Sequence, residues 1–178
     1  MSRVDDYDGE GPYITAEMWQ HNVQLALKGR KGQKALRELR DALLALPEKR
    51  LIARALCTAG KTRPEGLDDS WRVRDFDEII DSQGGAGVCA VGAYAWHKKV
   101  KAGMEPTAAF ESLPMLADTD SGIYDTKMVG VEAGLTRTLA YEFAYLNDET
   151  YESLSPEERW IAFMVWIEKQ LITEPVTT

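Results

Sequence analysis

Apolar positions along this chain recur at steps of three and four far more than at alternate positions. Leu36, Leu39, Leu43 and Leu46 form one such stripe, predicting a helix that Pro47 ends or kinks. Before it, Thr15 reads as the N-cap of a helix to Lys28 carrying Met18, Trp19, Val23, Leu25, Ala26 and Leu27, stopped by Gly29. Glu48 to Cys57 places Leu51, Ile52, Ala55 and Leu56 on one helical face, so a further helix is expected there. Another runs from Val88 to about Ala102, ended by Gly103, and Pro106 opens a shorter one to about Ser112. Helices are expected at 125–133 and 135–146, the second with Leu135, Leu139, Phe143 and Leu146 inward. Ser155-Pro156-Glu157-Glu158 combines an N-cap, a proline at the first helical position and a capping-box glutamate, opening a final helix to about Ile172.

Two stretches break this rhythm. Residues 1–14 read as a flexible acidic lead punctuated by Gly9, Gly11 and Pro12. Residues 58–87 read as a long irregular insertion: glycines and Pro64 bracket an acidic middle, with either a short strand at 71–74 or a helical turn at 75–81. The fold class is therefore all-α, a single compact domain of six to eight helices over 15–178.

Composition adds class and compartment. With 178 residues, 44% apolar and 28% charged, the chain has the mix of one globular domain rather than of a disordered one. It has no apolar run near the ~18 residues of a membrane span, and its acidic start shows no secretory pattern. Two cysteines, Cys57 and Cys89, make no disulfide framework, so a cytoplasmic location is expected.

The net charge of −8 argues against nucleic-acid binding by the molecule as a whole, yet the charge is unevenly spread. Residues 28–63 hold eleven Lys/Arg against three Asp/Glu, and residues 105–178 four against fourteen. Either the two halves neutralise each other in the fold, or the basic segment meets an acidic partner. In the second case Arg30, Lys31, Lys34 and Arg37, at the start of the second helix, are the candidate contacts. The dipole and free N–H groups of a helix N-terminus would assist them.

Motifs for chemistry are weak. Gly84 to Ala93 contains neither a phosphate-loop nor a dinucleotide-loop spacing. Cys89, in a first helical turn, has His97 as its obvious base, but eight helical residues separate the Cα atoms by roughly 12 Å. The better reading is packing, with Cys89, Gly92, Ala93, Trp96 and Val100 on one face and Tyr94, Lys98 and Lys101 on the other. Zinc lacks a ligand cluster, and Asp118-x-Asp120-x-Gly122 departs from a calcium loop at its fifth, sixth and twelfth positions. No metal and no cofactor are expected. The carboxylates at Asp75, Asp77, Glu78 and Asp81, and at Asp148 and Glu149, read as solvated surface.

The segments Arg30-Lys31-Gly32-Gln33-Lys34-Ala35-Leu36-Arg37-Glu38-Leu39, Leu46-Pro47-Glu48-Lys49-Arg50-Leu51-Ile52 and Gly87-Val88-Cys89-Ala90-Val91-Gly92-Ala93 carry a resemblance. With Leu146-Asn147-Asp148-Glu149 and Ser155 to Trp160, the chain resembles small uncharacterised proteins of actinobacteria and their phages. The resemblance skips 60–86 and brings no catalytic residue. It implies a cytoplasmic setting and a binding role in phage infection.

The final helix has two apolar stripes. Trp160, Phe163, Met164, Ile167 and Leu171 make the core face, and Ile161, Val165 and Ile172 a second face roughly 120° around. The second is covered within the chain, or it is an oligomer or partner surface, a homodimer included. The leading expectation is a non-enzymatic cytoplasmic accessory protein that binds a macromolecular partner, a protein, and is phage or prophage encoded. One alternative is a nucleic-acid binder using 28–63. The other is an enzyme with a Cys89 or carboxylate centre.

Overall fold

Local sequence sets most of the helix starts. Thr15, Glu105, Thr136 and Ser155 each accept an N–H from the residue three positions on, satisfying a donor that a helix start otherwise leaves free. At Ser155 the capping box is closed from both sides: Glu158 N–H donates to Ser155 Oγ at 3.3 Å, and Ser155 N–H to Glu158 Oε2 at 2.9 Å. The computed structural model describes residues 15–53, 56–57, 87–114 and 126–172. Among them are seven α-helices and no strand: α1 (Ala16–Lys28), α2 (Arg30–Ala45), α3 (Ala90–Lys101), α4 (Pro106–Glu111), α5 (Thr126–Glu132), α6 (Arg137–Tyr145) and α7 (Pro156–Gln170). A π-helical turn, Leu146–Thr150, continues α6. The all-α class expected from periodicity is the class observed. The acidic lead, the insertion over 58–86 with its carboxylates, and the Asp118–Gly122 loop lie outside the described residues.

Gly29 serves both helices it separates, giving its N–H to Leu25 O and its carbonyl to Gln33 N–H. Beyond this corner α2 backs directly onto the last turn of α1. A Cβ at Gly32 would lie 1.9 Å from Ala26 O, so this contact requires glycine. Gln33 is buried in the corner. Its amide donates to Leu27 O and Gln170 O, and its Oε1 accepts from Ile172 N–H, tying the end of α7 to the first hairpin.

The helix expected over Glu48–Cys57 is not formed in the described part of that stretch. Residues 48–53 run as irregular backbone, and Cys57 makes an isolated antiparallel bridge to Val88. Leu51, Ile52, Ala53, Leu56 and Cys57 are all buried. The apolar spacing fits a helical face, but the segment is enclosed on several sides, and burial on several sides needs no helical period. Its backbone groups are paired by tertiary partners instead: Leu51 N–H with Pro156 O, Ile52 N–H with Val88 O, and Leu56 O with Cys89 N–H.

All seven helices feed one apolar core, and Leu36, Leu39, Leu43, Phe143, Phe163 and Ile167 are fully buried in it. α3 is its central rod, buried from Ala90 through His97. Tyr94, expected on the outer face, is buried as well, because α2 offers Glu38 to its hydroxyl at 2.8 Å.

Candidate functional site

Four segments distant in the chain meet at one buried polar knot. The π-helical turn drops Asn147 into the interior, where its Oδ1 accepts from Ala90 N–H and its Nδ2 donates to Ile52 O and Asp148 Oδ1. Arg159, on the second turn of α7, is fully buried. Its guanidinium donates to Leu51 O at 2.6 Å, Leu154 O at 2.8 Å, and Tyr151 O and Glu152 O at 3.1 Å. Leu46–Ile52, Gly87–Ala93, Leu146–Glu149 and Ser155–Trp160 are thus joined by hydrogen bonds. The chemistry of the knot is structural: a cation and an amide satisfy carbonyls of backbone that belongs to no helix or sheet. Nothing in the local sequence marks Asn147 or Arg159 as buried, since each lies among charged neighbours.

Cys89 sits at the same place and caps α3, its Sγ accepting Gly92 N–H at 3.3 Å. Burial first, and the Asp148 charge second, push its thiol well above the ordinary range, against the opposing N–H groups of Gly92 and Val91. A buried neutral thiol is a poor nucleophile. His97 lies two turns along α3 and faces away, toward Asp41 and Glu38 of α2 and toward Lys98 and Lys101. Its Nε2 is buried with no hydrogen-bond partner among the described residues, and burial first, then Lys101, hold the ring below its ordinary titration range. His21, the other histidine, is exposed on α1. Among the described residues no group of three or more His, Cys, Asp or Glu is placed to hold a metal ion, and no helix is long and apolar enough to cross a membrane.

The predicted cations lie on α2. Arg30 and Lys31 are exposed, Lys34 approaches Glu38 at 3.8 Å, and Arg37 is half-buried. The N-terminus of α2 is not an open anion cradle, because the closing turn of α1 stacks against it at Gly32. Part of the charge asymmetry is neutralised inside the fold: Arg40 lies 3.7 Å from Glu168, and Arg50 lies 3.9 Å from Glu157. These pairs link the basic segment to α7.

On α7 the first stripe is inward as expected, with Phe163 and Ile167 fully buried and Trp160, Met164 and Leu171 packed against the core. Of the second stripe, Ile161 and Val165 face outward from α7, 55% and 48% exposed, whereas Ile172, 51% exposed, lies past the end of the helix because the backbone turns extended at Leu171. Leu44 on α2, 50% exposed, is an apolar neighbour of the α2–α7 seam that the sequence did not single out. That seam is marked by Trp160 Nε1 donating to Leu43 O.

The chain matches no protein-family model, no curated protein and no solved structure.

Proposed function

We propose that the protein acts by binding a partner protein through the outer face of α7, as a non-enzymatic cytoplasmic accessory factor encoded by a phage or prophage. One observation carries the binding role. In a molecule whose core side chains are almost wholly removed from water, α7 leaves Ile161 and Val165, one turn apart, about half exposed, and Ile172 just past its end is half exposed too. Single exposed apolar residues are ordinary, but an aligned pair flanking a helix seam is the kind of surface that pairs with another amphipathic helix. The assignment to phage or prophage rests on the sequence resemblance. The Cys89-centred enzyme alternative gains no support, since that thiol is buried and held neutral.

Val165→Glu tests the reading. The side chain is half exposed, so the variant keeps its helical circular dichroism and melts within a few degrees of the wild type. It loses the protein that the wild type captures from a lysate of an actinobacterial host. Light scattering separates the occupants: a wild-type dimer that Val165→Glu turns into a monomer identifies the partner as a second copy. A variant that captures the same proteins in the same amounts, with the same mass in solution, overturns the proposal.

A further inference from the structure

α2 is flanked on one side by α7, through Gln33, Arg40 and Leu43, and on the other by α3, through Glu38. On the α3 side the tertiary structure assembles a cationic row that no stretch of sequence contains. Lys98 of α3 lies 3.4 Å from both carboxylate oxygens of Glu38, and Lys34 of α2 lies 3.8 Å from one of them. The two ammoniums, 64 positions apart in the chain, are therefore neighbours. Each has a further lysine about one turn away on its own helix, Lys31 on α2 and Lys101 on α3. Lys31 and Lys101 are both exposed, and neither makes an ion pair among the described residues. Arg30 and Arg37 lie along the same helix, α2, and among the described residues Glu38 and Asp41 are acids on α2 near this face.

This arrangement carries an electrostatic cost. The first turn of α2 holds Arg30 and Lys31, has no acid and has no side-chain cap, so two cations sit at the end of the helix that is already positive. Lys98, Lys99 and Lys101 suit the closing turn of α3, but the packing of α3 on α2 brings Lys98 beside Lys34 at Glu38. Glu38 offsets part of this repulsion. Burial opposes its ionisation, but the Tyr94 hydroxyl, Lys98 and Lys34 outweigh that and hold its carboxyl below the usual range. A polyanion laid across the face would offset the rest.

We propose that the α2–α3 face, with Lys31, Lys34, Lys98 and Lys101 at its centre, binds the phosphate backbone of duplex DNA. A row of separate point charges on two helices suits repeated phosphates better than one small anion. Among the described residues, Tyr94, which shares Glu38 with the row, is buried, and so is Trp96, so they offer no platform on which the bases of a single strand could stack. Contact is then to the backbone and independent of sequence. The net charge of −8 keeps it weak, and the lysine–phosphate contacts make it fall with salt. The face lies on the opposite flank of α2 from the α7 stripe, and the inference does not rest on a protein partner binding there.

Fluorescence anisotropy with a labelled duplex of about 20 bp, titrated between roughly 20 and 200 mM KCl, tests it. Four lysine–phosphate contacts predict a slope of log K against log salt of about −3.6, at about 0.9 per contact. Lys31→Glu and Lys101→Glu leave the Glu38 cluster intact, so folding is kept; each weakens binding several-fold and flattens the slope by about 1. Lys169→Glu on α7 makes the same change in net charge away from the face and has a much smaller effect. Glu38→Gln keeps an acceptor for Tyr94, removes the opposing charge and strengthens binding. Several results would each overturn the proposal: no binding at the lowest salt, equal losses in Lys101→Glu and Lys169→Glu, or tighter binding of the corresponding single strand. A polyglutamate peptide that binds through these lysines while the duplex does not would assign the face to an acidic polypeptide instead.

Discussion

His97 shows how one residue can set the pH response of the whole chain. It is 9% exposed, its Nε2 has no hydrogen-bond partner among the described residues, and it faces Lys98 and Lys101 on its own helix and Asp41 and Glu38 on α2. Burial and the lysines outweigh the carboxylates, so the folded ring takes up a proton less readily than its ordinary value of 6.5. Below that value the unfolded chain binds more protons than the folded one, and stability falls as pH falls. Urea melts should therefore show a midpoint that drops between about pH 7.5 and 5.5, and His97→Gln should flatten the drop. An unchanged profile in His97→Gln would show that other groups govern that window. The sequence excluded a Cys89–His97 pair by distance alone, but it showed neither residue's surroundings, because these are supplied by α2 and by the π-helical turn.

At the scale of elements, starts and stops were legible and faces were partly so. Thr15, Gly29, Pro47, Gly103, Pro106 and Ser155 act within one turn of backbone, so their signals need no partner. The misread residues 48–53 and 56–57 obeyed a helical spacing, but the backbone at Leu51 and Ile52 is held by Pro156 O, Val88 O and the buried side chains of Asn147 and Arg159. The start of α3 shows the reciprocal constraint. Gly92 lies against that stretch, and a Cβ there would come within 2.4 Å of Leu56 O. Gly92→Leu should cost about 1–3 kcal/mol, toward the upper end because the obstacle is backbone, and thermal melting reads it. A loss under half a kcal/mol would mean that the stretch yields easily.

For the molecule as a whole, Arg159 is the strongest link between distant segments. Replacing it by Met would leave the carbonyls of Leu51, Tyr151, Glu152 and Leu154 without their cation and should cost about 3 kcal/mol or more in chemical denaturation. Arg159→Lys should recover little, since one ammonium cannot reach four carbonyls in that fork. By contrast, the surface pairs Arg40–Glu168 and Arg50–Glu157 should each contribute well under 1 kcal/mol. Sequence by itself determined the all-α class, most helix limits, the inner stripes of α2, α6 and α7, and the structural character of Cys89. Capping, proline and 3.6-residue periodicity are local, and they act whatever packs nearby. Only the tertiary structure decided that 48–53 and 56–57 stay irregular and that Tyr94 turns inward. It also decided that the second stripe of α7 stays outside, and that Lys98 joins Lys34 at Glu38. Each of these outcomes depends on which surface another part of the chain presents, and side-chain order along the sequence does not encode that contact.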